Sequence, residues 1–91
     1  MILETPYEMA FHVAKRFRSL RRAKKMTIKE VSERSGVPYS TLRRFESTGE
    51  ISFLSFVKIV SVIGEDDQIT RLLSDTVPGS IEEVIRGNHY R

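Results

Sequence analysis

A chain of 91 residues, 40% hydrophobic and 30% charged, is expected to make one soluble domain with room for a single core. No apolar run reaches the ~20 residues of a membrane span. The start MILETPYEM lacks the basic stretch and cleavage site of a signal peptide, and zero cysteines exclude a disulfide framework or a thiolate zinc site, which fits the cytoplasm. The net charge of +3 is uneven: residues 1–46 carry eleven Lys/Arg against five Asp/Glu, a balance of +6, and residues 47–91 carry four against seven, a balance of −3. The basic half suits a polyanion and the acidic half suits a protein partner.

Thr5-Pro6-Tyr7-Glu8 predicts a helix start: a threonine cap, proline at the first position, and glutamate three residues after the cap. That helix runs to about Lys24, with Ala10, Val13, Ala14, Phe17 and Leu20 as its apolar stripe. Thr27 and Glu30 form a second capping box for a helix over 27–35, whose buried side begins at Val31. Gly36 lies where that helix stops, since glycine reaches the left-handed region without strain. Val37 plugs the corner, and Pro38 suits the first turn of a third helix over 38–47. Leu42 and Phe45 face inward there, whereas Tyr39, Ser40, Arg43 and Arg44 face outward. Ser52 caps a fourth helix with Phe53, Phe56, Ile59, Val60 and Ile63 on one side, and Gly64 ends it. Asp66 and Asp67 favour the start of a fifth helix over 66–73 through its dipole, with Ile69, Leu72 and Leu73 buried. Val77-Pro78-Gly79 breaks the pattern, and Ser80 with Glu83 caps a short sixth helix before the tail GNHYR. No period-two alternation competes, so the fold class is all-α, with one domain over 1–76 and a short C-terminal helix and tail over 77–91.

Two short helices joined by a glycine turn over 27–49 have the layout of a DNA-binding helix-turn-helix. In this layout the start of the second helix enters the major groove, which makes Tyr39 and Ser40 DNA contacts, to base or to phosphate. Arg43 and Arg44 can each fork onto guanine O6 and N7 or clamp a phosphate; the bland alternative is a solubilised helix face. Thr27 and Lys29 stand at a helix N-terminus, where free N–H groups and the dipole favour a phosphate. Lys24 and Lys25, just before it, add non-specific charge. Thr41 faces the neighbouring helix or the backbone. His12 and His89 have no companion at ligand spacing, and no nucleophile, base and orienting group converge. The chain is therefore expected to be no enzyme, with no catalytic residue, no metal and no cofactor.

Residues ~16 to 64 resemble the phage-repressor and Xre class of helix-turn-helix domains. The resemblance is carried by Arg21, the T-I-K-E-V start, Ser35-Gly36-Val37, Thr41-Leu42, Glu46 and the pattern Phe53…Phe56…Ile59…Ile63-Gly64. It implies a five-helix lambda-repressor-like bundle, here with an extra C-terminal helix. It also implies a structural ion pair between Arg21 and Glu46, and a base-reading position at Arg44. Two positions depart from the family: Ile28 stands where a glutamine is common, and the loop Ser47-Thr48-Gly49-Glu50 is one residue longer and partly acidic. The stretch LRRFESTGEISFLSFVKIVSVIG, with the DD helix and the S-I-E-E-V-I-R ending, further resembles small antitoxins paired with HipA-like kinase toxins.

Leu54, Val57 and Val62 are hydrophobics beyond the inward set of the fourth helix. Together with Ile69 and Leu73 they predict a homodimer surface, Leu54, Val57, Ile69 and Leu73 forming its interface. The expected function is that of a transcriptional repressor binding a palindromic double-stranded operator as a dimer. In the narrower version it is an autorepressing antitoxin that also meets a HipA-like kinase. The alternative is a protein-interaction module whose helix-turn-helix no longer reads DNA.

Overall fold

The computed structural model describes residues 4–75. Within them the chain forms five helices: α1 Pro6–Ala23, α2 Ile28–Ser35, α3 Tyr39–Thr48, α4 Phe53–Val62 and α5 Asp66–Thr70. Among the described residues there is no strand, and no helix is long and apolar enough to cross a membrane. The sixth helix expected after Ser80 lies outside the described residues.

Local chemistry sets the starts of α1, α2 and α4. Thr5 and Thr27 each accept the N–H of the glutamate three residues on, and Glu8 and Glu30 bond back to the cap N–H. The Ser52 hydroxyl accepts from the Ser55 N–H at 3.1 Å. Pro38 is the cap of α3 rather than its first residue, so that helix starts and ends one position later than the pattern predicts.

Packing joins α1 to α3, α2 to α3 and α4, and α4 to α5. Ala14 and Phe17 from α1, Val31 from α2, Leu42 and Phe45 from α3, and Ile59 and Val60 from α4 are buried together with Val37 and Ile63. Phe45 is the hub, edge-on to Phe17 at 5.6 Å and to Phe56 at 5.7 Å between ring centroids.

Three expectations of burial are corrected. Phe53 is 62% exposed: as the first residue of α4 it stands at the rim of the groove between α1, α4 and α5 instead of in the core. Leu72 and Leu73 are exposed as well, Leu73 by 88%. The fifth helix ends at Thr70 instead of residue 73, and Leu73 adopts a left-handed φ of 58°, so helical spacing no longer sets where these two point.

Candidate nucleic-acid interface

The corner between α2 and α3 is held by side chains as well as by glycine. Gly36 takes a φ of +78° and its N–H donates to the Ser32 carbonyl at 2.9 Å. The Ser32 hydroxyl donates to the Val37 carbonyl at 2.7 Å, and the Ser35 hydroxyl accepts from the Val37 N–H at 3.1 Å. Val37 itself is buried. Helix α3 therefore leaves the corner in one direction, with the backbone N–H and carbonyl of Val37 both bonded.

On α3, burial of Leu42 and Phe45 turns Tyr39, Ser40, Arg43 and Arg44 outward, and all four are exposed. They sort into two neighbouring columns, the two members of each one helical turn apart. In the first, the Arg43 guanidinium stands 6.0 Å from the centre of the Tyr39 ring, within cation–π range. In the second, Ser40 lies one turn before Arg44. Arg44 Nη2 donates to Glu50 Oε1, although their side chains remain 69% and 51% exposed.

The N-terminus of α2 adjoins this face. The capping box occupies the N–H groups of Thr27 and Glu30, at 3.0 and 3.1 Å, and Val31 N–H makes the first helical bond to Thr27. The N–H groups of Ile28 and Lys29 are left for an outside acceptor. The Thr27 N–H, and then its hydroxyl, hold the Glu30 carboxyl below its ordinary value of 4.5 despite the opposing effect of desolvation. Lys29 is exposed at the same end. Lys24 turns away from it to pair with Glu65 at 3.0 Å, and Lys25 occupies a left-handed turn with φ 58°.

Behind the face, Arg21 Nε and Nη2 donate to the two carboxylate oxygens of Glu46 at 2.8 and 2.9 Å. Its Nη1 donates to the Met26 carbonyl at 2.8 Å. Arg21 is 8% exposed, so one guanidinium ties α1, the end of α3 and the turn before α2 in a sheltered place. Sequence reasoning missed Arg18. The packing of α1 on α3 brings it to a shallow polar notch shared with Arg43, Glu46, Ser47 and Ile28, a third arginine at the edge of the face. Only tertiary packing unites residues so distant in sequence.

The residues expected at a dimer surface differ in exposure. Leu54 and Leu73 are exposed, and Val57 and Ile69 are half-buried. Ile69 lines an apolar groove with Val13, Phe17, Leu20, Phe53 and Phe56, between α1, α4 and α5; Leu54, Val57 and Leu73 do not line it. Among the described residues no three His, Cys, Asp or Glu side chains are grouped to hold a metal ion.

The family model described as Helix-turn-helix matches residues 17–68, more than half of the chain, from the middle of α1 into α5. The chain belongs to this helix-turn-helix family of DNA-binding regulators. There is no significant match to it among curated proteins or solved structures. The match contains the two capped helices, the serine-held corner and the outward face of α3.

Proposed function

We propose that this helix-turn-helix protein is a sequence-specific transcriptional repressor that binds a palindromic operator as a homodimer in the cytoplasm. The observation that carries the reading is the outward row Tyr39, Ser40, Arg43 and Arg44 on a helix whose direction is set by a rigid corner. In this arrangement Arg44 reaches a base edge, Tyr39, Ser40 and Arg43 contact base or backbone, and Thr27 and Lys29 take a phosphate at the start of α2. Two reading helices on one face of the duplex stand one helical turn apart, ~34 Å.

The dimer uses the apolar surface of α4, α5 and the segment after α5, around Leu54, Val57, Ile69 and Leu73. In the narrower form of the proposal the protein is an autorepressing antitoxin, and its acidic C-terminal half, −3 over residues 47–91, meets a HipA-like kinase. Co-expression with such a kinase and recovery of one complex tests that form alone.

A second reading, a bridge between proteins that reads no DNA, is favoured by the Arg44–Glu50 pair and by the apolar Ile28 at the start of α2. Binding to labelled duplexes over a salt series decides between the two. A DNA reader selects a preferred sequence from a random pool and loses affinity steeply as salt rises. A bridge retains no duplex at any salt.

A further inference from the structure

Glu50 is the one acidic side chain bonded to the outward face of α3 among the described residues, and its placement is built rather than loose. Gly49 takes a φ of +87°, and a Cβ there would stand 2.6 Å from the Ala10 carbonyl carbon, so the loop is seated directly on the backbone of α1. The Thr48 hydroxyl donates to the Arg44 carbonyl at 2.7 Å and accepts from the Glu50 N–H at 3.1 Å. The Ser47 hydroxyl adds a bond to the same carbonyl at 3.1 Å. These contacts tie the loop that carries the carboxylate to the backbone of the arginine it meets.

Stability does not explain such a pair, because exposed ion pairs contribute little. It also stands where a carboxylate is unwelcome to a polyanion. We infer that Glu50 is a specificity-determining residue: it holds Arg44 for a base and penalises its use as a phosphate clamp. The inference rests on the DNA-reading proposal above.

The guanidinium has five N–H groups, and one carboxylate oxygen occupies only part of that set. On a guanine, O6 and N7 are neutral acceptors, so Arg44 can offer its remaining donors while Glu50 stays bonded behind it. On a duplex lacking that guanine, the same arginine would turn to the backbone. There the Glu50 charge meets a phosphate of like sign, and releasing Arg44 forfeits the pair. Glu50 thus lowers affinity for all DNA and lowers it most where the base contact is missing.

The test uses the full chain, with Glu50→Gln preserving shape and Glu50→Ala as a second variant. The probes are a duplex that the parent selects from a random pool and a scrambled duplex of the same composition. Each is titrated over a salt series, after melting curves show that the variants fold. Both variants should bind the scrambled duplex roughly three- to tenfold more tightly. Their salt slope on it should steepen by about one, as Arg44 is freed to neutralise a phosphate. Affinity for the selected duplex should rise by less, so that the ratio between the two duplexes shrinks. An equal gain on both duplexes, or no change on either, overturns the inference while leaving the DNA-reading proposal intact. A parent that binds duplexes without preferring any sequence overturns the inference together with the sequence-specific part of that proposal. A parent that binds no duplex overturns the underlying proposal, and the inference with it.

Discussion

Arg21 and Glu46 meet as a two-pronged pair, Nε and Nη2 of one on the two carboxylate oxygens of the other, with both side chains at or below 10% exposure. The 25-residue separation between them closes α1 onto the end of α3. Charges so sheltered tolerate the loss of both partners better than the loss of one. Glu46→Ala should therefore destabilise the fold by about 3–5 kcal/mol. Replacing the pair by Arg21→Met with Glu46→Leu should recover much of that loss. Urea melts of the three proteins check both statements; a Glu46→Ala protein melting within a degree or two of the parent would refute the first.

Gly36 and Gly49 share a left-handed φ but not their surroundings. A Cβ on Gly36 meets nothing within 4 Å, whereas one on Gly49 would overlap the Ala10 and Phe11 backbone at 2.6–2.8 Å. Gly36→Ala should lose only the conformational term, about 1–2 kcal/mol. Gly49→Ala should lose more than that, because two backbones must separate. Equal melting temperatures for the two variants would show that the α1 contact yields freely.

Arg44→Ala and Lys29→Ala separate base reading from charge. The arginine variant should lose roughly 1–3 kcal/mol on the selected duplex and relax preference at one symmetric pair of positions. The lysine variant should weaken every duplex alike and reduce the salt slope by about one. If Arg44→Ala loses the same factor on selected and scrambled DNA, Arg44 is a phosphate clamp. If neither variant changes binding, the reading face lies elsewhere.

Association is testable at α4. Val57 is half-buried beside the exposed Leu54, and Val57→Asp would set a charge against its symmetry mate in a two-fold interface. Sedimentation should find a dimer for the parent and a monomer for the variant. A parent already monomeric at tens of micromolar, as a rough scale, removes the argument for this interface.

Acid should weaken the caps. The N–H of Thr5 lowers the Glu8 carboxyl, the N–H of Thr27 lowers that of Glu30, and Lys24 with Gln68 lowers that of Glu65, all from an ordinary 4.5. A carboxyl lowered in the folded state adds stability that is fully present above its unfolded value and is lost as pH falls through the folded one. Melting temperature should thus hold above pH 4.5 and drop below it, and Glu30→Gln should make that drop shallower. A variant with the parent's acid slope would show that the α2 cap does not contribute.

What was legible in the sequence followed the range of the responsible contacts. The caps of Thr5, Thr27 and Ser52 and the glycine stop at Gly36 act within four residues, so their chemistry is written side by side. Leu42 and Phe45 inside and Arg43 outside follow from helical spacing alone. Leu72 and Leu73 misled because spacing carries information only while the helix continues, and α5 stops at Thr70. The Arg44–Glu50 pair was hidden because it crosses a loop whose course depends on Gly49 pressing against α1. Arg18 joined Arg43 only through the packing of two distant helices.

The serine-held corner separates the protein's address from its scaffold. Val37, Leu42 and Phe45 anchor α3 from within, and Ser32 and Ser35 orient it from the turn, so none of the outward side chains at 39, 40, 43 and 44 is needed to hold the helix in place. Under the proposed function, substitutions at those four positions would redirect the helix to a new sequence at little cost in folding, and chains sharing this framework could differ in target.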